Sequence, residues 1–203
     1  MDRKAHWESL YTMKSPEETS WFQASPELSL AFIAATGVGK DARIIDVGGG
    51  ASVLAERLLD AGFTQVTVLD ISCAALARAK ERLGERAGHV TWLEMDITEA
   101  KLPGPIDVWH DRAVFHFLTD VGDRRKYRQV AEAALRPGGH LILATFALEG
   151  PPRCSGLEVL RHSPESLQQE FSDRFELAET RQEIHTTPSQ ARQAFLYCRF
   201  RKR

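Results

Sequence analysis

The chain has 203 residues, 43% hydrophobic and 27% charged, a balance that fills the core of one medium-sized domain and excludes a disordered, collagen-like or disulfide-scaffolded chain. Lysine and arginine number 26 against 28 acidic residues, a net charge of −2, so no global field draws the chain to a nucleic-acid backbone. The cysteines, Cys73, Cys154 and Cys198, are odd in number and lack the paired short spacing of a structural zinc site, which fits a reducing compartment.

The opening MDRKAHWESLYTMKSPEE has no continuous apolar stretch, and the longest apolar run, around 141–148, falls far short of the roughly 18 residues needed to span a bilayer. The expectation is a cytoplasmic protein with no membrane partner. Ser25 and Pro26 open an amphipathic helix with Leu28, Ala31, Phe32 and Ala35 on one face, ended by Gly37. The run RIIDV at 43–47 reads as a buried parallel strand entering three glycines, and the spacing of Leu54, Ala55, Leu58 and Ala61 predicts a helix over 51–61 stopped by Gly62.

A second strand at 66–70 leads through Ser72, a good N-cap, into a helix carrying Leu76, Ala79 and Leu83 and ended by Gly84. Strands follow at 90–94 and 106–110, then a helix over 123–135 broken by Pro137, Gly138 and Gly139, then the strand HLILATFA. Strands alternating with helices imply right-handed crossovers and a mainly parallel, doubly wound α/β sheet. Beyond residue 150 come a loop, a helix near 164–171, and two alternating segments, ELAETRQEIHT and QAFLYCRF, that read as an antiparallel hairpin closing one sheet edge.

The segment IIDVGGGAS sets Gly48, Gly49 and Gly50 between strand and helix, with Asp46 at the strand end, where open α/β sheets bind ligands. Asp70 ends the second strand 20 positions after Gly50, and an acid there accepts the ribose hydroxyls of an adenosine moiety. These features suit either a nicotinamide cofactor or S-adenosylmethionine, and three details favour the second. The dinucleotide fingerprint would need glycine where Val53 stands; Asp46 suits an ammonium and opposes a pyrophosphate; and the acid-apolar pair Asp96 and Ile97 follows the third strand, where it suits an adenine ring.

Over residues 40–150 the sequence resembles the class I S-adenosylmethionine-dependent methyltransferases, with five motifs in order: IIDVGGGAS, VTVLDIS, LEMDIT, IDVWHDRAVFHFL and LRPGGHLILATF. The resemblance implies a Rossmann-like seven-stranded sheet with an antiparallel last pair. It assigns Asp46, Gly48, Gly49 and Gly50 to the methionine part of the cofactor, Asp70 and Ile71 to the ribose side, and Asp96 and Ile97 to the adenine. Asp111, Arg112 and His116 become the catalytic candidates facing the methyl or its acceptor. One departure is Ser52, where many members carry a third glycine.

The segment HWESLYTMKSPEETSWFQASPELSLAFI is similar to the entry of small-molecule methyltransferases of the trans-aconitate or thiol-methylating kind, and to lysine methyltransferases of elongation factor 1-alpha or citrate synthase. Trp7, Tyr11, Trp21 and Phe22 are then candidates for a lid, Trp21 against the cofactor, since aromatic faces attract a sulfonium; the alternative is that Trp21 and Phe22 are core. The resemblance divides a single methyltransferase domain over 1–203 into a cofactor-covering segment (1–39), a cofactor-binding core (40–150) and an acceptor-side region (151–203). A small-molecule acceptor, thiol or carboxylate, is preferred to a protein lysine, and a non-catalytic cofactor-binding protein is the reading from another class. His110 is expected inside its strand, pointing away from Asp111, which argues against a metal site. Cys154, His185 and Gln193 are weighed as acceptor contacts against plain burial.

Overall fold

The computed structural model describes residues 2–203. Strand β1 (Arg43–Val47) is central, and its β-branched residues are buried on both faces. It pairs in parallel with β2 (Gln65–Asp70) on one side and with β4 (Ile106–Arg112) on the other. Outward lie β3 (Val90–Glu94) beside β2 and β5 (Leu135–Phe146) beside β4; β9 (Arg192–Lys202) then runs antiparallel to β5, and β8 (Phe175–Thr186) antiparallel to β9. The sheet order is β3-β2-β1-β4-β5-β9-β8, the expected seven strands with an antiparallel last pair. Strand order reverses between β1 and β4, and a crevice opens there at the carboxyl ends of the strands.

One sheet face carries α2 (Glu27–Ala34), α3 (Leu54–Asp60) and α4 (Cys73–Leu83), whose Phe32, Leu54, Leu58 and Leu76 pack on Ile44, Val108 and Ile142. On the other face α5 (Val121–Ala134) and α6 (Pro164–Phe171) bring Tyr127, Ala131 and Phe171 against Ile45, Trp109 and Leu141. The caps are the ones the sequence signals: Ser72 accepts the Ala75 N–H at the head of α4, and Gly84 closes it with φ +58°.

Three boundaries differ from the sequence reading. Helix α3 begins at Leu54 rather than residue 51, because the glycine turn runs on to Val53. Strand β4 extends to Arg112, and β5 starts at Leu135, with Pro137, Gly138 and Gly139 inside it beside a register irregularity between Ile106 and Val108. Three elements had no counterpart in that reading: α1 (Arg3–Met13), which buries only Tyr11 and so lacks an apolar stripe, and the two-residue strands β6 (Arg153–Cys154) and β7 (Leu157–Glu158). No helix among the described residues is long and apolar enough to cross a membrane.

Candidate functional site

The turn after β1 is shaped by what its glycines omit. Gly48 has φ +69°, donates its N–H to the Leu69 carbonyl at 2.7 Å, and would drive an added Cβ to 2.0 Å from Val114 Cγ2. A Cβ on Gly49 would sit 2.4 Å from Asp46 Oδ2, and one on Gly50 2.4 Å from Asp70 Oδ2. The bare turn is thus wrapped around two carboxylates. Asp70 is buried and accepts the Ser72 N–H at 2.9 Å. Burial pushes its carboxyl up to about 7; the Asp46 charge adds to this, while bonds from the Ser72, Ile71 and Gly50 N–H groups pull the other way.

Two adjoining cavities lie over this turn and share Tyr11, Trp21, Gly48 and Arg112 in their walls. The first, about 730 Å³, is lined by Asp70 and Ile71 at and after the end of β2, by Asp96 and Ile97 just beyond β3, and by Trp7 and Phe117 from across the groove. The second, about 570 Å³, is lined by Asp46, Gly49, Ser52, Phe22, Ser29 and His110. Gly50 lies beneath the turn against Asp70 and Ala75.

Helix α1 is fastened by charge. Arg3 pairs with Asp96 and with Asp123, each at 2.9 Å; Glu8 accepts from the Ser72 hydroxyl at 2.8 Å and the Ala74 N–H at 3.2 Å; and Lys4 pairs with Glu94. Trp7 then packs edge-on against Trp21 and Phe117, with centroids 5.7 and 4.9 Å apart, and the Trp21 indole N–H donates to the Tyr11 hydroxyl at 3.2 Å. Asp96 is already engaged: Oδ1 accepts both the N–H and the hydroxyl of Thr98 at 2.8 Å, and Oδ2 takes Arg3.

The three candidates at the end of β4 part company, because alternation along the strand sends His110 and Arg112 to the groove and Trp109 and Asp111 into the core under α5. Asp111 is fully buried; it accepts the Val114 N–H at 2.9 Å, the Phe115 N–H at 3.2 Å and the Tyr127 hydroxyl at 2.6 Å, and it lines neither cavity. His116 is also turned inward. Its Nδ1 accepts the Phe146 N–H at 3.1 Å, its ring packs on Phe117 and Phe146, and burial lowers it to about 3, so it stays neutral. The expectation that both face the acceptor is corrected on that geometry.

Arg112 does face the groove, and it also closes it. Nε donates to the Tyr197 hydroxyl and Nη1 to the Trp21 carbonyl, both at 3.0 Å, while the guanidinium lies 4.3 Å over the Phe195 ring. Its Nη2 is buried without a hydrogen bond, 3.7 Å from Glu183. His185 donates to the Ser20 carbonyl at 2.9 Å, and Cys154 lies with Sγ 3.8 Å from Ser20 Oγ; these two and Gln193 are buried and line neither cavity. Among the described residues no cluster of three or more His, Cys, Asp or Glu is arranged around a common point. Sequence reasoning missed Ser29 and Arg3, which reach the groove from elements with no motif of their own.

The methyltransferase domain family matches residues 45–141, a stretch that runs from within β1, through the glycine turn, to within β5. With the seven-stranded fold and the groove over the turn, this match supports a class I S-adenosylmethionine-dependent methyltransferase. The mouse eEF1A lysine and N-terminal methyltransferase is 27% identical over 149 residues, 70% of this chain, and the ubiquinone/menaquinone biosynthesis C-methyltransferase of Methylobacterium nodulans is 37% identical over 111 residues, 52% of this chain. The chain spans 21% and 42% of the lengths of those two relatives. The crystal structure of the N-methyltransferase NodS from Bradyrhizobium japonicum, in complex with S-adenosylhomocysteine, superposes with a TM-score of 0.74 at 19% identity, covering 96% of this chain and 97% of that one.

The residues present fit S-adenosylmethionine. The bare turn lets Asp46 and Asp70 close on its backbone beside the cavities, Asp70 offers a buried acceptor for hydroxyls, Ile71 and Ile97 wall an apolar slot, and Asp46 offers a carboxyl group at the far end for a cation.

Proposed function

We propose that the chain transfers the methyl group of S-adenosylmethionine to a small molecule bearing a thiol or carboxylate. The observation that carries this reading is the inward turn of Asp111 and His116: the acceptor end of the groove presents a cation, Arg112, and keeps away the two groups suited to take a proton from a lysine ammonium. A thiol or carboxylic acid is partly or wholly ionised near neutral pH and needs a desolvated approach and a cationic anchor more than a base. The covering segment, with Trp21 held by Arg112 and Ser20 by His185, walls that end with the chain's own residues and favours a small acceptor over an extended protein segment.

When bound, S-adenosylmethionine supplies a methyl group on a sulfonium, open to in-line displacement. The chain's residues bind and orient. In this reading Asp70 accepts from the ribose hydroxyls with Ile71 beside it; Ile97 and Asp96, the latter held by Arg3, flank the adenine; Asp46, Gly48 and Gly49 receive the methionine tail, with Gly50 beneath the turn; and Trp21 and Trp7 exclude water from the reacting end. A protein lysine is the second reading, favoured by the similarity to the mouse eEF1A methyltransferase. Calorimetry with S-adenosylmethionine and S-adenosylhomocysteine, then a labelled-methyl screen over thiols, carboxylic acids and lysine peptides, tests the proposal. Turnover on a small anion supports it, turnover on lysine alone moves the chain to the second reading, and binding without turnover on any class leaves a binding protein.

Two substitutions test the roles. Asp70→Ala is expected to weaken S-adenosylhomocysteine binding by roughly 1.5–3 kcal/mol, the worth of a hydrogen bond to a charged group. Because hydroxyls donate to the ionised carboxylate and burial holds Asp70 near 7, affinity in the native protein rises with pH through that value, and the variant's profile is flat. Arg112→Ala is expected to cut kcat/KM for the acceptor by roughly 10- to 100-fold, again the worth of a charge-assisted bond, with a smaller loss of S-adenosylhomocysteine affinity. An equal loss in both would move Arg112 to the cofactor.

A further inference from the structure

Asp46, His110 and Ser29 form a closed line of hydrogen bonds beneath the second cavity. His110 Nδ1 lies 2.7 Å from Asp46 Oδ1, and Nε2 lies 2.9 Å from Ser29 Oγ; all three side chains are buried and all three line that cavity. A carboxylate accepts, so Nδ1 carries the proton that points at Asp46, and the contact of Nε2 with the Ser29 hydroxyl fixes the plane of the ring. Register explains the juxtaposition: β1 and β4 pair Asp46 directly with His110, so their side chains share a face, and α2 lays Ser29 over them.

The consequence falls on Asp46. One oxygen is tied by His110 while the other, Oδ2, packs against the Cβ-less backbone of Gly49, and the carboxylate lines the second cavity beside that turn. A carboxylate held in one orientation by a hydrogen bond is a preorganised receptor for a cation. We propose that His110, oriented by Ser29, is a positioning residue that fixes Asp46 for the α-ammonium of the cofactor's amino-acid tail, and so makes the chain discriminate tail-bearing adenosyl ligands from tail-less ones. This rests on the S-adenosylmethionine reading above.

The arrangement has the connectivity of a hydrolytic serine triad, yet Ser29 is fully buried inside α2, and the end of the line that meets the glycine turn is the carboxylate. The chemistry therefore runs toward binding a cation.

The test compares S-adenosylhomocysteine with 5′-methylthioadenosine, which has the same nucleoside and no amino acid, by competition calorimetry on the full chain. His110→Leu is expected to lose roughly tenfold or more in affinity for S-adenosylhomocysteine, the worth of a bond to a charged group, with 5′-methylthioadenosine unchanged within about twofold. His110→Asn, whose side-chain amide overlays Nδ1, restores most of the loss, and in an Asp46→Asn background His110→Leu has no further effect on the tail-bearing ligand. Equal losses for both ligands, no rescue by asparagine, or a persisting effect in the Asp46→Asn background would each overturn the proposal. If His110→Leu does not fold, Ser29→Ala keeps the ring and is expected to give a smaller loss confined to S-adenosylhomocysteine. A native protein that binds 5′-methylthioadenosine as tightly as S-adenosylhomocysteine overturns the inference alone, and one that binds neither overturns the cofactor reading with it.

Discussion

Gly48→Ala is expected to destabilise the fold by roughly 2–5 kcal/mol, from about 1–2 for a left-handed backbone bearing a Cβ and about 1–3 for overpacking. The two causes are separable within this chain. Gly62 has a positive φ of +86° with nothing within 4 Å of its missing Cβ, so Gly62→Ala reports the backbone cost by itself. At Gly48 the new methyl would meet Val114 Cγ2 at 2.0 Å, while Val114 Cβ stands 3.5 Å away. Adding Val114→Ala should therefore recover the packing part and leave the backbone part. Urea denaturation of Gly48→Ala, Val114→Ala, their double variant and Gly62→Ala reads the cycle; a Gly48→Ala cost no greater than that of Gly62→Ala would refute the close approach. Affinity for S-adenosylhomocysteine should fall with stability, since relieving the clash moves the turn that lines both cavities.

Asp111→Ala is expected to cost roughly 2–4 kcal/mol at pH 8, because it strands the Tyr127 hydroxyl and the N–H groups of Val114 and Phe115 in the core, each worth about 1–3 before relaxation. Tyr127→Phe removes one of those bonds and the contact from the Trp109 indole N–H at 2.9 Å, so a smaller cost of about 1–2 kcal/mol is expected. The pH dependence has a definite sign. Burial raises the Asp111 carboxyl to about 6 from its ordinary 3.8, with the bonds from Tyr127 and Val114 opposing it. The folded state then holds a proton that the unfolded chain has released, so the stability it contributes is fully present below pH 4 and is lost as pH rises through 6. Relative to the alanine variant, which has nothing to titrate, native stability should thus be greater at pH 4.5 than at pH 8 by on the order of 2 kcal/mol. A gap that widens with rising pH would contradict the assignment.

Much of the frame was readable because it rests on local patterns. The 43–47 run, the glycines after it, Ser72 as cap and Gly84 as stop each act within a few residues, and the structure puts β1, the turn and α4 where those signals place them. Asp70, Ile71 and Ile97 line the first cavity and Asp46 the second, again because a residue at a strand's carboxyl end has few places to go once the strand is parallel and central. Helix α1 escaped notice for the opposite reason: it is held by Arg3, Lys4 and Glu8 to partners between 64 and 120 positions away, and such ion pairs leave no periodic trace.

The sequence by itself determined the order of strands and helices, the bare turn and the acids at the strand ends, because period, caps and spacing are properties of short stretches of chain. Only the tertiary structure decided which side of β4 meets the ligand. Side-chain direction alternates along a strand, so Asp111 and Arg112 cannot both face the groove. The choice was made by register against β1, which sets His110 beside Asp46, and by the core under α5, which claims Asp111 for Tyr127. It took the packed sheet to turn the expected catalytic acid into a structural one and an unassigned histidine into the partner of the carboxylate at the glycine turn.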